Sequence, residues 1–193
     1  MRTLALDLST STGWALFSDS TPESYGSHKI HIADFNVNDY PEREKVYPFN
    51  IVDAANEVSY FVIALVMEFE PDIIVIENTV RGRNRHTQRA LEFIHKAVLD
   101  NLQFVKHKVK YTDVSKWRSL LKMYLTPEDK KHNKTKDSRT ILNSLITARG
   151  KITKKHLAIR KVFELFGIEL KMNQNDIADA LLLGFAWQLD NSK

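Results

Sequence analysis

The sequence predicts an α/β fold, a mixed five-stranded sheet with its first three strands antiparallel and helices on its faces. Three observations predict this fold. Short strand-like stretches follow one another at the N-terminus. Apolar residues recur every three or four positions from Pro48 to Glu70, which is typical of a long amphipathic helix. The four consecutive β-branched residues Ile73 to Ile76 then indicate a strand that is covered on both faces.

The first strand, Leu4 to Leu8, places its leucines on one face and Asp7 on the other. A polar turn follows, and further strands are predicted at Gly13 to Ser18 and Ser24 to Ile32. Because an acidic residue on a central strand disfavours β structure, Asp7 either caps the turn or has a chemical role.

Glu77 comes directly after the strand Ile73 to Ile76. In open α/β sheets, functional side chains collect where strands end, because loops bring them together there. Glu77 is therefore a second candidate site residue, although a single carboxylate at a strand end is weak evidence.

Four arginines follow Glu77 closely in the sequence, and a helix is predicted after them from Thr87 to Leu102. Guanidinium groups bind phosphates in a bidentate manner, and a glycine-containing loop lets them follow a nucleic-acid backbone. The alternative is a helix entry with exposed arginines. The four DNA-binding candidates are Arg81, Arg83, Arg85 and Arg89.

The stretch Asn175 to Trp187 reads as a helix that is apolar on nearly every side, and therefore as a buried one. Its first turns carry Asp176 and Asp179, whose i, i+3 spacing places both carboxylates on the same face. Two buried carboxylates so close together require a cation or strong donors beside them. The alternative is that Asn175 is an N-cap and the acids complement the helix dipole.

The remaining elements are a strand, Val105 to Thr112, a short helix from Asp113, and helices near Thr140 to Ala148 and Thr153 to Phe166, the last ending at Gly167. Trp117 in the short helix is either a core anchor or a base-stacking residue. Lys154 and Lys155 begin the last of these helices, where a cation is unfavourable unless an anion lies nearby.

Basic charge is concentrated between Phe104 and Lys161, which hold 17 Lys and Arg residues against 4 Asp and Glu, whereas the rest of the chain is net acidic. This asymmetry indicates a surface for a polyanion. The alternative is a solvated lysine-rich face. Further DNA-binding candidates in this region are Lys116, Lys134, Lys136 and Lys155.

Length and composition predict one domain over residues 1–193, with a basic insertion at about 122–150. The chain contains no cysteine, so a thiolate metal site is excluded. We find no signal peptide, and the apolar runs Tyr60 to Met67 and Ala180 to Leu189 are shorter than the ~20 residues of a membrane span. We therefore expect a cytoplasmic protein with no membrane partner.

Asp7, Glu77, Asp176 and Asp179 together can hold two divalent ions. All-oxygen ligation suits Mg²⁺, with Mn²⁺ as a substitute, rather than Zn²⁺. Two such ions would activate a water and stabilise the leaving oxygen in a displacement at phosphorus. The basic region would hold the nucleic acid that an acidic site otherwise repels.

The motifs Leu4-Ala5-Leu6-Asp7-Leu8, Ile74-Val75-Ile76-Glu77 and Asn175-Asp176-Ile177-Ala178-Asp179 resemble the RuvC family of Holliday-junction resolvases, within the RNase H-like superfamily. The resemblance runs end to end in motif order. It implies a homodimeric, Mg²⁺-dependent endonuclease of DNA recombination and repair that nicks two opposed strands of a four-way junction. It also implies that the four acids are catalytic, with Lys154 as a phosphate or transition-state contact.

The chain departs from typical bacterial members in its arginine-rich loop and its basic insertion, which resemble phage and viral resolvases. A phage member would act in the host cytoplasm. Three alternatives are a nuclease for flaps, branched DNA or RNA hybrids, a non-catalytic DNA-binding module, and an actin-like ATPase or sugar kinase. The last lacks support, because the chain has only 6 glycines and no second phosphate loop is apparent.

Overall fold

A computed structural model of the protein describes residues 1–32, 48–78, 85–135, 140–141, 147–148 and 150–191. The strands are β1 Arg2–Asp7, β2 Ser11–Ser18, β3 Thr21–Lys29, β4 Ile73–Glu77, β5 Val109–Thr112, β6 Thr140–Ile141 and β7 Thr147–Ala148. The helices are α1 Phe49–Phe69, α2 Arg85–Asn101, α3 Val114–Leu120, α4 Pro127–Thr135, α5 Lys154–Phe166 and α6 Asn175–Asn191.

The central sheet has five strands in the order β3-β2-β1-β4-β5. β1 pairs antiparallel with β2, and β2 pairs antiparallel with β3. β4 lies parallel to both β1 and β5. The predicted fold class is therefore confirmed. The fifth strand is shorter than predicted, because Gln103–Lys108 forms 3-10 turns before β5 begins.

The sheet separates two hydrophobic cores, and the alternation of side chains along β1 assigns each residue to one of them. Leu4 and Leu6 pack on the side of α1 and α2. Ala5 packs on the opposite side, where α5 and α6 lie. Asp7 is in phase with Ala5, so the pleat of β1 directs its carboxylate towards α6.

α6 is buried along most of its length, as its apolar sequence predicts, and ten of its residues are buried. Small residues allow this close contact between helix and sheet. A Cβ on Gly184 would lie 2.4 Å from a ring atom of Phe17 and 3.0 Å from the Cβ of Ala5. The sheet and α6 therefore form a tightly packed pair on which the position of the acidic residues depends.

α1 is the one described helix that is long and apolar enough to cross a membrane by length and composition alone. Its buried side chains, among them Val58, Val62 and Val66, belong to the core that it shares with α2 and the sheet. This packing accounts for its apolar sequence, as in the core helices of globular domains.

The predicted helix near Thr140 to Ala148 is wrong at the residues that the structure describes there. Thr140 and Ile141 instead pair antiparallel with Ala148 and Thr147 as β6 and β7. Before this pair comes α4, whose two buried residues, Asp129 and His132, are both polar.

Polar contacts attach α4 to the elements that follow it. The Asp129 carboxylate accepts two hydrogen bonds from the Arg160 guanidinium on α5, at 3.0 and 2.7 Å. The Asn133 side chain bonds both backbone groups of Ile152. These contacts hold α4, which lies in the basic insertion of residues 122–150, in a defined position.

Candidate active site

Asp7 and Glu77 lie at neighbouring strand ends. β1 and β4 are parallel, with Leu6 opposite Ile76, and each acid is the next residue along its strand. Both carboxylates therefore stand at the same edge of the sheet. The sequence predicts that functional side chains collect where strands end. Because β1 and β4 are parallel neighbours, their last residues lie at the same edge.

α6 brings Asp176 and Asp179 to this edge. The approach requires glycine at position 13 in β2, because a Cβ there would lie 1.9 Å from the carbonyl oxygen of Asp176. The first turn of α6 therefore packs directly against the β2 backbone opposite Asp7, which pairs with Gly13. The structure thus brings all four predicted acids together.

Burial and mutual repulsion act on the ionisation of these carboxylates. Burial raises the pKa of Asp7 well above its usual range, and repulsion from Asp179, Glu77 and Asp176 adds to the rise. Burial also raises the pKa of Glu77 to about 7, again with a contribution from Asp179. The pKa of Asp179 is raised by burial as well. The positive charge of Arg118 lowers all three pKa values but does not offset the effect of burial.

Hydrogen bonds orient the carboxylate of Asp176. Ser11 Oγ donates to Oδ2 at 2.6 Å, and Asn175 Nδ2 donates to Oδ1 at 2.7 Å. Lys155 Nζ in turn donates to Asn175 Oδ1 at 3.1 Å. Asn175 has helical backbone angles, and its side chain bonds Lys155 and Asp176, so it is not the N-cap that the alternative interpretation made it. Its amide instead connects a lysine to an acidic site residue.

Adjacent residues of α3 contact two of the four carboxylates. Trp117 Nε1 donates to Glu77 Oε2 at 2.8 Å, and Arg118 Nη2 lies 3.4 Å from Asp179 Oδ1. The Arg118 guanidinium also lies 4.9 Å from the centre of the Trp117 ring. Trp117 is 2% exposed, so it is a core residue, as one of the two sequence interpretations held. Its indole N–H nevertheless belongs to the site.

The predicted lysines occupy different positions around the site. Lys155 bonds Asn175 and also lowers the pKa of Asp179, although burial raises that pKa more strongly and Arg118 lowers it more than Lys155 does. Lys154, the residue before it, lines a cavity together with Arg118. Lys116 is exposed and forms an ion pair with Asp190 at 2.6 Å. The catalytic role of Lys154 stays a prediction.

The other predicted DNA contacts lie on two helices or outside the described residues. Arg85 and Arg89 are exposed at the start of α2, and Lys134 is exposed on α4. Arg81, Arg83 and Lys136 fall outside the residues that the structure describes. Their DNA contacts stay predictions.

The donor set at this edge suits a hard divalent cation. It consists of carboxylate oxygens, the ligands that Mg²⁺ and Mn²⁺ prefer, and their mutual repulsion is what a bound cation relieves. Among the described residues, no three His, Asp or Glu side chains are already positioned to hold an ion. Ligation would thus require side-chain adjustment, and the contact of Asp179 with Arg118 is one that an ion could replace.

Sequence reasoning missed Ser11 and Arg118. Ser11 belongs to a polar stretch that the sequence presented only as a turn, and nothing in its spacing indicated a partner on α6. Arg118 is adjacent to Trp117 in a basic region, but its contact with Asp179 depends on how α3 packs beside α6. Both residues are recognisable only from the tertiary structure.

Solved structures of Holliday-junction resolvases share this architecture. RuvC of T. thermophilus in complex with a Holliday junction substrate aligns with a TM-score of 0.60 and 11% identity, covering 96% of this chain and 92% of that chain. A second Thermus thermophilus RuvC structure aligns with a TM-score of 0.55 and 14% sequence identity, and it has the same coverage of both chains. The yeast mitochondrial Holliday junction resolvase Ydc2 aligns with a TM-score of 0.51 and 14% sequence identity, covering 97% of this chain and 77% of that chain.

No protein-family model matches the chain, and no curated protein matches it in sequence. The chain therefore shares its fold with these resolvases at a low level of sequence identity.

Proposed function

We propose that this chain, which has the fold of the RuvC resolvases, is a structure-selective DNA endonuclease that resolves four-way junctions by paired symmetric nicks. The observation that carries the proposal is the convergence of Asp7, Glu77, Asp176 and Asp179 at one sheet edge, with raised pKa values for three of them. The T. thermophilus RuvC that shares this fold is in complex with a Holliday junction substrate, which supports the choice of substrate.

The proposed cofactor is Mg²⁺, two ions per site, with Mn²⁺ as a substitute. The four carboxylates would hold the ions, which when bound activate water and stabilise the leaving oxygen. The protein's own contribution is orientation. Ser11 and Asn175 fix the Asp176 carboxylate, and Trp117 fixes that of Glu77.

Exposed basic side chains, among them Arg85, Arg89 and Lys134, would hold the DNA against the repulsion of the acidic cluster. Exposed cations on α2 and α4 can neutralise phosphates and release counterions, which makes binding sensitive to salt. Paired nicks need two active sites, and the described part of the chain contains one such acidic cluster. A homodimer on the junction supplies the second site.

The first experiment compares substrates at equal concentration in Mg²⁺. They are a four-way junction with a short mobile core, a linear duplex, a flap and an RNA–DNA hybrid. Symmetric nicks confined to the junction are expected. Comparable cutting of the flap or hybrid would instead make the protein a broader nuclease with the same site.

Asp7→Asn tests the acidic cluster in the same assay. It should abolish cleavage while junction binding persists, because it removes a metal ligand and no DNA contact. Asp100→Asn is the matched control, since Asp100 is an exposed acid on α2 that pairs with Lys96. Retained cleavage by Asp7→Asn would remove Asp7 from the metal site.

The two lysines of α5 can be separated by single substitutions. Lys154→Ala should slow cleavage more than it weakens binding if Lys154 contacts the reacting phosphate. Lys155→Ala should instead disturb the Asn175–Asp176 contact and weaken the apparent affinity for Mg²⁺. An unchanged cleavage rate in Lys154→Ala would exclude Lys154 from the reaction.

A further inference from the structure

A cavity of about 690 Å³ lies beside the acidic cluster, between the end of β4, α3 and the start of α5. Arg118 connects the two features, because the residue lines the cavity and its Nη2 lies 3.4 Å from Asp179 Oδ1. The volume lies within the range of small-ligand sites in proteins. The side chains used below are Asn78, Asp113, Arg118, Ser119, Tyr124 and Lys154.

The cavity wall offers cations for a phosphate group. Arg118 Nε is buried and has no hydrogen-bond partner within the described part of the chain, and its Nη2 makes one long contact at 3.4 Å. An unsatisfied buried donor is unfavourable, so the present contacts leave part of the hydrogen-bonding capacity of this guanidinium unused. A phosphate oxygen can satisfy guanidinium donors, and Lys154 supplies a second positive charge.

Tyr124 provides an aromatic surface at the same cavity. It is 63% exposed, and its hydroxyl pairs with Ser119 Oγ at 2.9 Å. That bond holds the ring at its hydroxyl end and does not cover its faces. Exposed aromatic rings beside cations are the usual stacking platforms for unpaired bases.

Polar groups for a base edge lie at the same site. Asp113 occupies the N-cap position of α3 but makes no side-chain cap hydrogen bond. Its Oδ1 instead accepts from Asn78 Nδ2 at 2.6 Å. A carboxylate directed away from its helix can accept a hydrogen bond from the amino group of a base.

We propose that this cavity binds one unstacked nucleotide of the cleaved strand, with its phosphate at Arg118 and Lys154 and its base against Tyr124. This inference rests on the proposed function and deepens it, because it assigns a binding site to the nucleotide next to the scissile phosphate. Tyr124 belongs to the basic insertion of residues 122–150, so the inference gives one residue of this insertion a role in substrate recognition.

The test combines an abasic scan of the DNA with a substitution of Tyr124. Junctions each carry one tetrahydrofuran abasic residue near the cut site, and affinity is measured by fluorescence anisotropy in Ca²⁺ without Mg²⁺. One abasic position should weaken wild-type binding about tenfold, which corresponds to the loss of one base–aromatic stack.

The variants decide whether Tyr124 is the partner of that base. Tyr124→Ala should bind the intact junction about tenfold more weakly, and the abasic residue should have no further effect on it. Tyr124→Phe keeps the ring and should behave as wild type. Tyr60→Ala is the matched control, because Tyr60 is 62% exposed on α1 and lies outside the cavity.

Two results would overturn the inference while the proposed function stands. One is that wild type binds junctions but no abasic position lowers its affinity. The other is an abasic penalty that is equally large in wild type and Tyr124→Ala. If the wild type has no preference for junctions over duplex, both the cavity assignment and the proposed function are overturned.

Discussion

Trp117 Nε1 donates a 2.8 Å hydrogen bond to Glu77 Oε2, and this bond opposes the effect of burial on the Glu77 carboxyl. Burial raises the pKa of Glu77 to about 7, whereas the indole N–H stabilises the ionised form and lowers it. A core tryptophan thus helps to set the pH range in which a proposed metal ligand is ionised.

Trp117→Phe should move the pH dependence of cleavage to higher pH. The change removes the donor and keeps an aromatic ring in the core, so the pKa of Glu77 rises further. The ascending limb of the single-turnover rate should shift by about one pH unit, because a hydrogen bond to a charged group contributes ~1.5 kcal/mol. Trp187→Phe, in the same core, is the control. Identical pH profiles would show that the bond has no influence on catalysis.

Asp7→Asn should stabilise the metal-free protein at high pH. The folded-state pKa values of Asp7, Glu77 and Asp179 are raised, so the folded state binds more protons than the unfolded chain between about pH 4 and 7. Their contribution to the free energy of unfolding therefore falls as pH rises through this window. In EDTA at pH 8, the thermal midpoint of Asp7→Asn should exceed that of wild type by about 4 °C.

The pH dependence of this difference is the internal control. Because the raised folded-state pKa values favour the protonated carboxyls as pH falls, the difference in midpoint should be smaller at pH 4 than at pH 8. Adding Mg²⁺ at pH 8 should stabilise wild type more than Asp7→Asn. A variant that is less stable than wild type at both pH values would contradict the predicted repulsion.

Gly13→Ala should destabilise the protein and reduce cleavage together. Its Cβ would lie 1.9 Å from the backbone carbonyl of Asp176, which cannot move without displacing α6. Overpacking of this kind costs about 1–3 kcal/mol or more in the free energy of unfolding. Gly26→Ala is the comparison, because its Cβ meets the Trp14 side chain at 2.9 Å, and a side chain can shift. If urea denaturation shows that Gly13→Ala and Gly26→Ala lose the same free energy of unfolding, the close approach of α6 to β2 would be contradicted.

Asp129→Ala should destabilise α4 far more than Glu164→Ala. Both acids pair with Arg160, but Asp129 is 2% exposed and accepts two hydrogen bonds, whereas Glu164 is 48% exposed and lies 4.0 Å away. Breaking the buried pair should cost ~3 kcal/mol, against less than ~1 kcal/mol for the surface pair. Amide hydrogen exchange in α4 measures the local effect. Unchanged protection in Asp129→Ala would show that other contacts hold the helix.

The sheet and the acidic cluster could be predicted because their signals are local. Period-two patterns mark β1 and β2, the β-branched run marks β4, and the i, i+3 spacing of Asp176 and Asp179 indicates one helix face. The sheet order then brings the acids to one edge, because parallel neighbours end at the same side.

The failures arose where the sequence signal is short or the contact is tertiary. Ile141 and Leu145 have helical spacing, but over so few residues the pattern fits strands as well, and Thr140–Ile141 is a strand. Arg118 reaches Asp179 across 61 residues of chain, and no periodicity encodes that contact. Sequence reasoning placed both lysines at the start of α5, but their different neighbours follow from how α5 packs near α6.

The hydrogen bond from Ser11 to Asp176 joins residues 165 positions apart. Closing so long a loop is entropically costly, and contacts of this range form after local ones. The carboxylate set at the sheet edge is incomplete until α6 docks against β1 and β2. We therefore expect the candidate active site to form only together with this sequence-distant contact, so that a chain with α6 undocked does not gather the proposed metal ligands.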